Sequence, residues 1–161
     1  MQVRMLVGLL GEYYVAFKFN VLGGTVDRID HSGVDLVVYA KKNWGVSVKT
    51  RDISRRVNNS IVLSYNDVAL LYLESKKRSL VPAYAFVLLG RDKNCLLICE
   101  QTVIFTHLCK KAVRIGGVHN YMAKYAGNPD AGKLSINVSQ NQRDSVWAKL
   151  RGLPGVILVE L

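Results

Sequence analysis

The chain has 161 residues, half of them hydrophobic and only three of them proline, and carries a formal net charge of +10. This composition excludes a disordered chain and predicts one folded domain, residues 1–161, long enough to bury a core. So large a surplus of positive charge suits a polyanionic partner such as DNA, RNA or an anionic membrane.

At the N-terminus the uninterrupted apolar run Met5 to Leu10 is short, Glu12 follows at once, and no small-residue cleavage site appears. No segment reaches the roughly 20 apolar residues that a bilayer crossing needs, so a cytoplasmic protein with no membrane partner is expected. Leu6, Leu9, Leu10, Tyr13 and Phe17 recur at helical spacing and predict an amphipathic helix over residues 3–20, with this stripe toward the core. Glu12 lies on its flank, where a carboxylate can reach past the core edge. Leu22-Gly23-Gly24 ends the helix.

Three strands are predicted next, over 25–30, 34–39 and 45–51, the last two joined as a hairpin through residues 40–44. Side chains alternate along a strand, so Asp35, Val37 and Tyr39 share one face, as do Gly45, Ser47, Lys49 and Arg51. If Tyr39 sits opposite Gly45, then Asp35 sits opposite Lys49, and Asp35, Ser47 and Lys49 point the same way; a slip of one residue would separate them.

Residues 51–60 read as polar and irregular. "NDVALLYLESKK" (66–77) predicts a second helix, with Ser64 or Asn66 available as its cap. Residues 83–90 and 94–100 predict a pair of apolar strands. Cys95, Cys99, His107 and Cys109 lack the tight spacing of a structural zinc knuckle and read as core residues. Residues 101–112 suggest a helix, 116–117 a turn, 133–139 a strand, 141–152 a short helix, and the C-terminal "GVILVEL" a last strand. The sum is a mixed α/β or α+β fold.

A carboxylate and a lysine held together on a sheet suit metal-assisted phosphodiester cleavage. The carboxylate binds a hard cation that takes oxygen ligands, and the lysine stabilises negative charge developing on phosphorus. A plain cross-strand ion pair, worth roughly 0.2–1 kcal/mol, is the structural alternative.

Glu12 on a first helix, then "GVDLVVY", then "VSVKTR" resembles the PD-(D/E)XK nuclease superfamily, in a small stand-alone form similar to archaeal Holliday-junction resolvases. The resemblance covers residues 3 to about 90. It implies a restriction-endonuclease-like core, a central mixed sheet flanked by helices, in the order helix, three antiparallel strands, helix, strand. It also implies a magnesium-dependent endonuclease acting on DNA, with manganese as a substitute cation and a homodimeric assembly. Carried over, Asp35 is the metal-binding aspartate, Lys49 the catalytic lysine, Glu12 the helix glutamate, and Val48 the residue whose carbonyl completes the metal shell. Ser47 stands where the family has Glu or Gln. Either Glu12, Asp27 or Asp30 compensates for this short neutral side chain, or the chain is an inactive nuclease fold that binds nucleic acid. Lys41, Lys42, Arg51, Arg55 and Arg56 are the expected nucleic-acid contacts, the last three flanking the scissile bond. Lys76, Lys77 and Arg78 end a helix and read as partners of its dipole. Lys110, Lys111 and Arg114 carry no reading without a fold.

Overall fold

The computed structural model describes residues 3–54 and 60–161, with the Asp30 side chain outside the description. The chain opens with helix α1 (Val3–Val21), then strands β1 (Thr25–His31), β2 (Val34–Tyr39), β3 (Asn43–Asp52) and β4 (Ser60–Leu63). Helix α2 (Tyr65–Lys77) leads to β5 (Val81–Leu89) and β6 (Cys95–Glu100). A short α3 (Gln101–Val103) runs into a π-helical turn, Ile104–Leu108, before α4 (Lys110–Ile115), α5 (Val118–Tyr125) and a 3-10 turn at Pro129–Gly132. Strand β7 (Leu134–Asn137), α6 (Gln140–Ser145), a second 3-10 turn (Trp147–Leu150) and β8 (Val156–Glu160) complete the chain.

Six strands form one mixed sheet in the order β1-β2-β3-β5-β6-β8, and β4 and β7 form a separate ladder. The β3–β5 pair is parallel and the other pairs of the sheet are antiparallel. From α1 to β5 the order is a helix, three antiparallel strands, a helix and a strand, with β4 added before the second helix. This is the central mixed sheet flanked by helices that the sequence implied.

Even-numbered positions on β2 and β3, and odd-numbered ones on β5, face α1. Leu36, Val38, Val46, Ala83, Ala85 and Val87 pack there with Val15 and Phe19. Odd-numbered positions on β2 and β3, and even-numbered ones on the adjacent β5, face α2 and the C-terminal helices, around Val37, Tyr84, Phe86, Leu71 and Trp147. A central sheet covered on both faces explains why β5 and β6 read as unbroken apolar runs.

Strand β3 is squeezed from both sides. A Cβ added to Gly11 of α1 would land on Thr50 Oγ1, and one added to Gly45 would come within 2.5 Å of Ser75 Oγ in α2. The two glycines thus set how closely the two helices approach the strand that carries Ser47 and Lys49.

Three expectations are corrected. The face of α1 that packs on the sheet is Gly11, Val15 and Phe19, while Leu6, Leu10, Tyr13 and Phe17 are exposed and Leu9 is half-buried. With only Arg4, Glu12 and Lys18 charged, α1 is apolar on most sides, and hydrophobic periodicity alone does not choose between them. The face with Gly11 wins because a glycine there allows the close approach to Thr50. The β2–β3 register is two residues from the expected one, with Val37 opposite Gly45 and Tyr39 opposite Asn43. Parity survives a shift of two, so Asp35, Ser47 and Lys49 keep a common face. The predicted helix over 101–112 is broken, because Cys109 is extended (φ −127°, ψ 113°) between the π-turn and α4.

Ser64, not Asn66, caps α2, in a reciprocal capping box with Asp67. All three cysteines are free and buried, and burial pushes the Cys99 thiol well above its ordinary value. No helix of the described residues is long and apolar enough to cross a membrane.

Candidate active site

The candidate site is a fork in the sheet. The β2–β3 ladder ends at Leu36 opposite Val46, and Asp35 and Ser47 are the first residues beyond it. On its other edge β3 stays paired with β5 as far as Asp52, so β2 is the strand that diverges. Asp35 spans the opening, its Oδ2 accepting a hydrogen bond of 2.6 Å from the Val48 backbone N–H. In an extended strand the N–H and C=O of one residue leave by the same edge. The Val48 carbonyl is therefore directed into the fork beside Asp35.

Ser47 is buried, 4% exposed, and lies beside Tyr84 across the parallel β3–β5 pair. The Tyr84 hydroxyl donates to the Asp67 carbonyl at 3.0 Å, and the Gln101 side-chain amide donates to the Val68 carbonyl at 2.9 Å. Together they pin the first turn of α2 over the face that carries Ser47 and Lys49. Burial drives the Tyr84 pKa well above its ordinary value, so this hydroxyl stays a donor.

The partner of Lys49 is Asp67, not Asp35. The Lys49 ammonium donates to Asp67 Oδ1 at 2.5 Å, while Asp67 Oδ2 accepts from the backbone N–H and the hydroxyl of Ser64, each at 2.7 Å. Burial alone would raise the Asp67 carboxyl, but the Lys49 ammonium and the Ser64 donors outweigh it and hold the group below the ordinary carboxylate range. Asp67 is the site residue that sequence reasoning missed. The signal for it is Ser-x-x-Asp immediately before the apolar run of α2, a capping-box spacing that fixes a carboxylate at the third helical position.

Glu12 projects from α1, on the far side of the sheet from Lys49, and accepts from Arg28 Nε at 2.6 Å. Asp27, on the edge strand opposite Val37, is exposed. Arg51 ties β3 to the start of β4 through a 3.0 Å bond to the Ser60 carbonyl. Arg55 and Arg56 lie outside the described residues. Lys41 and Lys42 occupy the exposed tip of the hairpin, at the opposite end of β2 from Asp35, and Lys42 pairs with Glu100 at 3.0 Å. Lys110, Lys111, Arg114 and Lys124 instead line one cleft of about 680 Å³ with Ile115, Asn120 and Tyr125 and no acidic residue.

No protein-family model and no curated protein matches the sequence. Among solved structures, Hjc, a Holliday junction resolvase from the archaeal hyperthermophile Archaeoglobus fulgidus, matches over 58% of this chain and 76% of its own, with a TM-score of 0.45 and 16% identity.

Among the described residues no three His, Cys, Asp or Glu converge as a ready-made metal cage. Magnesium does not require one. It is held by one or two carboxylates and keeps several waters. Asp35 and the Val48 carbonyl meet that minimum at the fork, and Ser47 adds only a buried neutral oxygen. The donor set is all oxygen, which suits magnesium or manganese over softer metals.

Proposed function

We propose that the chain is a metal-dependent endonuclease acting on DNA. The observation that supports this reading is the fork, where Asp35 accepts from the Val48 backbone N–H just beyond the last β2–β3 pair, with Lys49 the next residue along β3. Asp35 and Val48 would hold magnesium or manganese, and Glu12, which accepts from Arg28, is the further carboxylate that the family resemblance offers. A bound divalent cation supplies a Lewis acid at the phosphate and acidifies an attacking water.

The protein's own contribution is positioning and charge. The Val48 N–H fixes the Asp35 carboxylate against the strand, and α2 holds Lys49 through Asp67. In that arrangement the ammonium is pre-oriented, and an approaching phosphate competes with Asp67 for it. Negative charge building on the phosphate oxygens favours that exchange more in the transition state than in the ground state, which is the condition for a catalytic rather than a binding contribution. The net charge of +10 supplies long-range attraction to the polyanion.

The test is cleavage of linear, nicked and branched DNA by the purified chain with magnesium or manganese, beside Asp35→Ala and Lys49→Ala. Cleavage that both substitutions abolish, with DNA affinity retained, is the expected result. DNA binding without cleavage under either cation would favour a nuclease fold kept only for binding, and no affinity at low salt would sink both readings.

A further inference from the structure

The C-terminal third of the chain, beyond the core that the family resemblance covers, carries a charge arrangement of its own. Between Glu100 and Asp130 the sequence holds no acidic residue, while Lys110, Lys111, Arg114 and Lys124 all line the cleft of about 680 Å³ between α4 and α5. Lys110 and Arg114 stand four residues apart on α4, where like charges repel instead of supporting the helix. Among the described residues none of the four has a carboxylate within ion-pair distance. Beside the sheet the pattern is the opposite, with Lys18 neutralised by Glu160, Arg28 by Glu12, Lys42 by Glu100 and Lys49 by Asp67.

The cleft's charge is also held in place. The Lys111 ammonium, half-buried, donates to the Ala131 and Lys133 carbonyls at 2.5 and 3.0 Å, which fix its position without cancelling its charge. Lys111 and Lys124 lie over the Tyr125 ring, 4.9 and 5.5 Å from its centroid, and the ring itself is buried. Covered by two ammonium groups, Tyr125 offers no face on which a base could stack. What the cleft presents to a ligand is positive charge.

We propose, resting on the endonuclease reading for the identity of the polyanion, that this cleft is a second DNA site, which holds the phosphodiester backbone of a duplex arm beyond the fork. Single strands are usually bound by stacking their bases on aromatic rings, which this cleft lacks. Duplex DNA instead presents one negative charge per about 1.7 Å of axis, the ligand that a stacking-free basic cleft suits. The cleft is coupled to the helix that holds Lys49. Tyr125 contacts Tyr121 at 5.3 Å, and Tyr121 stacks at 5.8 Å on Tyr65, in the first turn of α2 and two residues before Asp67. These two ring contacts span a distance that about three nucleotides cover at 3.4 Å of rise each. In this arrangement one arm of a duplex that meets Lys49 continues into the cleft, and the cleft sets the direction in which that arm leaves.

The test is fluorescence anisotropy of a labelled duplex of about 20 base pairs with the full chain, in EDTA so that no cleavage intervenes, from about 50 to 200 mM salt. Lys110→Gln, Arg114→Gln and Lys124→Gln together should remove about three phosphate contacts, so the wild type should lose roughly 40-fold more affinity across that range than the variant. Removing as many charges at Lys76, Lys77 and Arg78 should leave the wild-type dependence nearly intact. A benzophenone attached at Asn120→Cys, in a chain whose native cysteines are buried, should crosslink to the duplex, and this second readout holds even if the triple variant folds poorly. Equal salt dependence in the wild type and the cleft variant, an equal flattening by the control substitutions, no crosslink, or displacement of the duplex from the cleft by polyglutamate or a single strand at matched charge would each overturn the proposal. Metal-dependent cleavage beside a cleft-independent salt dependence would sink the second site and leave the endonuclease reading standing. Cleft-dependent binding without cleavage would do the reverse.

Discussion

Replacing Asp67 with alanine tests the stability of the site independently of its chemistry. The substitution removes two acceptor contacts to Ser64 at 2.7 Å and leaves Lys49, with 26% of its side chain exposed, without its 2.5 Å partner. Loss of the capping reciprocity costs about 1 kcal/mol. The charged hydrogen bond from Lys49, largely shielded from water, adds roughly 1–2 kcal/mol. The expected total of about 2–3 kcal/mol corresponds, at roughly 2–4 °C per kcal/mol for a chain of this size, to a melting temperature lower by about 5–10 °C. The pH dependence supplies the sharper check. Because the folded-state pKa of Asp67 is depressed, its stabilisation is fully present above the unfolded carboxylate value, near 3.9, and is lost as pH falls through the lower folded value. Urea denaturation of wild type and Asp67→Ala should therefore show a constant gap from pH 5 to 7 that closes on further acidification. A gap under about 0.5 kcal/mol at pH 7, or one undiminished near pH 2, would refute the reasoning.

Three further outcomes follow from the same geometry. Ser47→Glu places a carboxylate in a buried position beside Tyr84, so it should destabilise the metal-free protein. If the fork binds magnesium, added metal should restore up to about 2.7 kcal/mol at a hundredfold excess over the dissociation constant, read as a metal-dependent rise in melting temperature, and cleavage should increase. Gly11→Ala forces α1 off Thr50 and should cost about 1–3 kcal/mol, partly recovered by Thr50→Ala, as measured by denaturant unfolding. Neutralising Lys110, Arg114 and Lys124 together to glutamine should flatten the log–log salt dependence of DNA binding by about 2–3, whereas the same change at Lys76, Lys77 and Arg78 should alter it less if the cleft contacts phosphates.

What the sequence revealed of the fold divides by range. Apart from β4, the elements from α1 to β6 were legible because period and punctuation are local signals. So was the shared face of Asp35, Ser47 and Lys49, since alternation survives a register shift of two. The register itself was not legible, because it depends on how tightly the hairpin turns at residues 40–42. Strand β4 went unseen because it is four residues long and its partner β7 lies some seventy residues further on, so nothing local marks it. The side of α1 that packs was misjudged because five large apolar residues on one side outweigh Gly11, Val15 and Phe19 in any periodicity argument. Packing instead follows which side can come close to Thr50. At the site, Asp67 went unread, because only the folded structure brings the first turn of α2 over Lys49.

The parallel pairing of β3 with β5 also governs the order in which the chain acquires its site. The β2–β3 hairpin closes a short loop and brings Asp35 to Val48 through contacts thirteen residues apart. The β3–β5 ladder joins residues 37 positions apart, and loop-closure entropy must be met before its contacts contribute. Asp35 is thus set during early, local folding. Lys49 and Ser47 reach their final surroundings only in the late step that docks α2 and β5. Conservative substitutions in the hairpin should accordingly slow refolding, while those at Asp67 or Tyr84 should chiefly speed unfolding.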